Sequence, residues 1–128
     1  MKREFVESIV DKTIIKSLED KSNILETIYD LKIRSTNIFK VLDKENIDLS
    51  PLLPVIISGN QEEINKINVS KRALYAYYYV DHASKRIEDL KWMFDKKDKF
   101  KRYTPVQLFS LINFKNKISK EKSLYLPF

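Results

Sequence analysis

Apolar residues recur at intervals of three and four along most of this chain, the period of helices that turn one face to a core. From Arg3 to about Leu18, a single stripe of Phe5, Val6, Ile9, Val10, Thr13, Ile14 and Leu18 predicts a first helix. A second is predicted to start at Asn23, whose side chain caps it with Glu26 at the third helical position. It presents Leu25, Ile28, Tyr29, Ile33 and later Ile38, Phe39 and Leu42. Ser35-Thr36-Asn37 in its middle are mediocre helix formers that favour a bend, and the segment is read as one helix across them.

Between Asn46 and Asn60 the periodicity fails, and Ser50-Pro-Leu-Leu-Pro54 forces an extended or turn-like path ending at Ser58-Gly59. A helix resumes with Asn60 as cap and Glu63 at the matching position. It continues directly, or through a break near Asn68-Val69-Ser70, into the longest helical pattern of the chain. There Ala73, Ala76, Val80, Ala83, Ile87, Leu90 and Phe94 form a seam whose small residues permit close helix approach. Tyr75, Tyr79, His82 and Arg86 line a flanking face, more interaction surface than one seam uses, so this helix is predicted to be central. The last helix has the clearest start. Thr104 is the cap, Pro105 the first helical residue, and Gln107 completes a capping box before Leu108, Leu111, Ile112 and Ile118. Pro127 stops any helix by then. The expected fold is therefore an all-α bundle of about four to five helices around a long central one.

Composition agrees with long helices. One Gly and four Pro in 128 residues leave few tight turns. Absence of Cys rules out a disulfide framework, a thiolate zinc site and a cysteine nucleophile. No apolar run approaches the roughly 20 residues a membrane span needs, and Met1-Lys-Arg-Glu-Phe-Val-Glu lacks the apolar region of a signal peptide. A soluble, cytoplasmic protein is expected.

Candidate chemistry is sparse. His82 is the single histidine, so no histidine pair builds a metal site, and a hydrogen bond at a helix surface or interface is its expected role. The neighbours Glu62-Glu63 and Glu88-Asp89 point in different directions round a helix and read as solvated faces or salt-bridge partners. With Gly59 alone, no Gly-rich phosphate loop exists. No enzyme, no cofactor and no metal are expected.

Charge is uneven. Residues 1–95 hold 15 basic and 16 acidic side chains, whereas 96–122 hold nine basic ones against Asp98 and Glu121, a local net charge of +7. Lys96, Lys97, Lys99, Lys101, Arg102 and Tyr103 form a cationic loop with Phe100 and Tyr103 interleaved, extended by Lys115, Lys117, Lys120 and Lys122. Such a composition follows a phosphate backbone or stacks an unpaired base, with weak, non-specific, salt-sensitive binding. A solvated Lys-rich face is the commoner role for such a run. Tyr77, Tyr78 and Trp92 are expected in the core, while Tyr75, Tyr79 and Arg86 suit a subunit contact.

The run Arg86-Ile87-Glu-Asp-Leu90-Lys91-Trp92-Met-Phe94, after a Tyr/Ala-rich helix opening at Lys71-Arg72, resembles the long helix of GINS replication-complex subunits. The similarity is strongest to the Psf-one/Sld-five type, for which archaea usually carry one counterpart. Lys122-Ser123-Leu124-Tyr125 resembles the segment leading from that family's helical A domain to its small β-rich B domain. The resemblance implies a helical A domain over residues 1–121, with 122–128 beginning a linker toward a B domain that this chain does not contain. Leu126-Pro-Phe128 stands where the family begins that domain's first strand.

A non-enzymatic scaffold of DNA replication is the implied function. Its implied partners are a second GINS-type subunit in a two-plus-two tetramer, the MCM helicase and a Cdc-forty-five/RecJ-like protein, in a cytoplasmic, nucleoid-associated setting. Tyr75, Tyr79, Arg86, Lys91 and Trp92 are the expected assembly residues, with Leu124 and Tyr125 guiding the connection to the B domain. The alternative is a small helical nucleic-acid-binding protein that uses the basic 96–122 region.

Overall fold

The computed structural model describes residues 2–44, 62 and 71–122, and they form four α-helices with no strand among them. In order these are α1 (Arg3–Lys21), α2 (Ile24–Lys44), α3 (Lys71–Lys96) and α4 (Pro105–Lys122). The chain is an all-α helical bundle, as its periodicity predicts. The 46–60 loop, the Asn60–Glu63 helix start and residues Leu124 and Tyr125 lie outside the described residues, as do the side chains of Phe39, Leu42, Ile118, Lys117, Lys120 and Lys122.

Helix α1 buries Val6, Val10, Ile14 and Leu18, a strict four-residue repeat. It ends where Ser22 takes a left-handed conformation (φ 49°) and its N–H bonds the Leu18 carbonyl at 2.9 Å. Asn23 follows at once as the cap of α2, its Oδ1 accepting from the Glu26 N–H at 3.1 Å. A two-residue link thus turns the chain back on itself. Helix α2 runs unbroken through Ser35-Thr36-Asn37, where the Thr36 hydroxyl donates to the Lys32 carbonyl at 3.0 Å and so finds a partner inside the helix.

The buried face of α2 differs from the expected one. Ile24, Thr27, Ile28 and Leu31 face inward, while Leu25, Tyr29 and Ile33 are 52%, 63% and 43% exposed. At 100° per residue these three lie about 100–180° round the helix from Ile24, and one helix face cannot hold both sets. Phe5 is likewise 64% exposed, about 100° from Val6 on α1. Thr27 sits in the core because its hydroxyl is satisfied twice, by the Asn23 carbonyl at 3.0 Å and the Ser17 hydroxyl at 2.9 Å.

Helix α3 is central, packing against α1, α2 and α4. Ala73, Ala76, Ala83, Ile87 and Leu90 of the expected seam are buried, whereas Val80 and Phe94 are half-buried. Leu74, Tyr78 and Met93 join them. Helix α4 starts with the predicted capping box, the Thr104 N–H donating to Gln107 Oε1 at 3.0 Å and the Gln107 N–H to Thr104 Oγ1 at 3.2 Å. It buries Leu108, Phe109 and Ile112.

Candidate functional site

The polar residues of the long helix converge on α1 and α4. Arg86 is only 5% exposed, in a stretch of α3 where Ala83 and Ile87 are buried as well. Its guanidinium takes Asp11 of α1 in a two-point grip, Nε to Oδ1 at 2.8 Å and Nη2 to Oδ2 at 3.0 Å. Its Nη2 also donates to Asn113 Oδ1 of α4 at 2.6 Å, and Nη1 to Asp89 Oδ2 one turn on at 3.0 Å. The Phe109 ring lies beneath, 5.1 Å from the guanidinium carbon. One turn earlier, His82 Nε2 donates to Asp11 Oδ1 at 2.9 Å, and its Nδ1 stands 3.4 Å from Glu7 Oε2.

Burial alone would raise the Asp11 pKa, but the hydrogen bonds from His82 and Arg86, with their charge, outweigh it and hold the carboxyl below its ordinary value. Arg86 mirrors this: burial opposes its charge, the Asp11 and Asp89 carboxylates prevail, and its pKa is raised. The cluster borders a cleft of about 470 Å³ that Lys85 and Asn116 complete. No Ser, Thr or Tyr hydroxyl lines this cleft, and both His82 nitrogens already face carboxylates. The arrangement ties α1, α3 and α4 together through charge-assisted hydrogen bonds. Among the described residues no group of three or more His, Cys, Asp or Glu side chains is placed to hold a metal ion.

A second cluster forms where α3 turns into α4. The Trp92 and Phe100 ring centroids are 5.8 Å apart, and those of Phe100 and Tyr103 are 6.1 Å apart, tilted at 38° and 58°. Lys97 Nζ stands 4.2 Å over the Phe94 ring, Lys99 Nζ 5.8 Å from Phe100, and Lys115 Nζ 5.8 Å from Trp92. The turn is fixed by the Lys99 and Phe100 N–H groups bonding the Lys96 carbonyl and by the Tyr103 N–H bonding that of Phe100.

Comparison with protein-family models, with curated proteins and with solved structures gives no match to this chain. No described helix is long and apolar enough to cross a membrane.

The residues singled out for assembly are scattered. Tyr79 and Arg86 are buried within the chain's own core, Tyr79 pushed up in pKa by burial, with Arg34 and a Thr13 hydrogen bond pulling the other way. Tyr75 is half-buried beside Tyr79, ring centroids 5.9 Å apart, and Trp92 is half-buried in the turn cluster. Lys91 is exposed and pairs with Glu88 at 3.2 Å. Lys96, Lys97, Lys99, Lys101, Arg102 and Tyr103 are exposed together on the α3–α4 turn, as the charge pattern suggests. Tyr78 is fully buried as expected, and Tyr77 half-buried.

Asp11 and Asn113, which complete the Arg86 network, were not legible. Each is one polar residue among many on an amphipathic helix. The available signal was on α3, where His82, Arg86 and Asp89 follow at four and three residues beside the seam, so their partners had to come from another helix.

Proposed function

We propose that this chain is the helical domain of a GINS-type subunit of the Psf-one/Sld-five kind, a non-enzymatic scaffold of DNA replication. The observation that carries the reading is the line Leu25, Tyr29, Ile33 on α2, exposed at four-residue spacing on a helix whose opposite face is already in the core. That line runs about 12 Å along the helix, the footprint of one side of a helix–helix contact. Three large apolar side chains left toward water on one stripe favour a protein partner. Closure of the polar cluster on itself supports a role without catalysis, and the Arg86-to-Phe94 run supplies the likeness to the family.

On this reading the partner on the α2 stripe is a second GINS-type subunit. The assembly in turn holds the MCM helicase and a Cdc-forty-five/RecJ-like protein in the nucleoid, while the ATP chemistry resides in the motor. Affinity purification of the chain from its native cells, in moderate salt with nuclease present, tests this. Recovery of a second GINS-type subunit with MCM or a RecJ-like protein is expected, and Tyr29→Asp with Ile33→Asp should abolish it while leaving the helical circular dichroism intact. Recovery of none of these proteins by the unaltered chain refutes the proposal.

A further inference from the structure

The α3–α4 turn has features that scaffolding leaves unused. Trp92, Phe100 and Tyr103 are set side by side with the outermost ring, Tyr103, 46% exposed. Each ring is therefore braced by the next, and the last presents a face to solvent from a position already ordered. Around them the cations keep their charge. Among the described residues Lys96, Lys97, Lys99, Lys101 and Arg102 form no ion pair with a carboxylate. Lys97 and Lys99 lie instead over the Phe94 and Phe100 rings. A ring face positions a cation without neutralising it, whereas a carboxylate does both.

Elsewhere Lys21, Arg3, Lys85, Arg86 and Lys91 meet carboxylates, while others such as Lys12, Lys16 and Lys32 pair with none among the described residues, so what sets this turn apart is the density of its cations. Residues 96–103 bring five basic side chains against the single Asp98 onto one turn. Hydrogen bonds within the turn hold this group to a small area. An exposed, braced aromatic face ringed by un-neutralised cations fits a ligand with alternating flat rings and negative charges.

The geometry points to this turn as a binding site for single-stranded nucleic acid, with Tyr103 stacking an unpaired base and Lys97, Lys99, Lys101 and Arg102 following the phosphates. A duplex hides its base faces and engages only the cations. An acidic protein segment supplies charge but no rings, so it gains nothing from Tyr103. The site needs no GINS partner and stands apart from the α2 stripe.

The test uses the full 128-residue chain with a fluorescein-labelled oligothymidylate of about 15 nucleotides, read by anisotropy and by the emission of Trp92, the single tryptophan. Binding is expected at about 50 mM salt, with Trp92 emission changing on complex formation. With four or five phosphates engaged and a single-strand slope of about −0.7 per phosphate, affinity should fall roughly 50–130-fold by about 200 mM. Lys97→Gln with Lys99→Gln and Lys101→Gln should flatten that slope by about 2. Tyr103→Ala should weaken binding about five-fold or more, and Tyr103→Phe should restore it.

All four positions are exposed, so these variants keep their fold, checked by circular dichroism. Absence of binding at 50 mM salt overturns the proposal. So does equal affinity for polyglutamate, with Tyr103→Ala unaffected and Trp92 silent, an outcome that assigns the turn to an acidic protein partner.

Discussion

Replacing Arg86 with Leu removes four charge-assisted hydrogen bonds and leaves Asp11 facing His82 alone. Counted singly at about 1.5–3 kcal/mol each, those bonds would suggest a loss of about 6–12 kcal/mol, as large as the whole stability of an ordinary domain. The sum is too large because the four bonds share one guanidinium and contributions within one network do not add. Measured as a whole, breaking a buried pair costs about 3–5 kcal/mol. Asp11 keeps some solvent contact, its side chain 21% exposed, so the lower end applies and we expect about 3 kcal/mol. At about 3–5 °C per kcal/mol for a domain of this size, the thermal midpoint should drop by roughly 10–15 °C.

Urea and thermal melts followed by far-ultraviolet circular dichroism measure it. The pairing with Asp11→Asn is the stricter check. Asp11→Asn with Arg86→Leu removes both charges, so it should cost about 2 kcal/mol less than the two single changes added together. Arg86→Leu costing under about 1 kcal/mol, or strict additivity in the pair, would show that the network contributes geometry on paper and little free energy.

Two further outcomes follow from the same core. The Asp11 carboxyl has a lower pKa folded than unfolded, so the folded chain binds fewer protons; its contribution is complete above the unfolded value near 3.9 and fades as pH falls through the folded one. Stability measured from about pH 6 down to pH 2 should therefore decline more steeply for the unaltered chain than for Asp11→Asn, and parallel curves would contradict this. Tyr78 is fully buried and among the described residues its hydroxyl has no hydrogen-bond partner, so Tyr78→Phe should leave stability unchanged or raise it by up to about 1–2 kcal/mol, whereas a clear loss in a chemical melt would reveal a hidden partner for that hydroxyl.

Helix type and helix ends were largely legible because their causes are local. Asn23 with Glu26 and Thr104 with Gln107 satisfy backbone donors within one turn, and the structure shows both. The seam of α3 was legible because Ala73, Ala76 and Ala83 leave room that only a neighbouring helix fills. Which side of α2 faces inward was not. Leu25, Tyr29 and Ile33 make as good a stripe as Ile24, Ile28 and Leu31, and the choice depends on the angle at which the Ser22–Asn23 link delivers the helix to α3. The partners of Arg86 were hidden for a related reason. A charged side chain reads as surface until its partners are known, and Asp11 lies 75 residues away.

That separation bears on how the molecule comes apart. The two-residue link joins α1 to α2, and a short hydrogen-bonded turn joins α3 to α4, so each pair is a hairpin built from contacts close in sequence. Asp11 of the first hairpin is bolted to His82 and Arg86 of the second, and the packing of α1 and α2 on α3 joins them further. Because α3 packs against α1 and α2 as well as α4, the two hairpins share one apolar core and should still melt as one cooperative unit with Arg86 replaced, Trp92 fluorescence and helical signal coinciding. The polar network thus adds stability and register to a folding unit that the shared core already makes single.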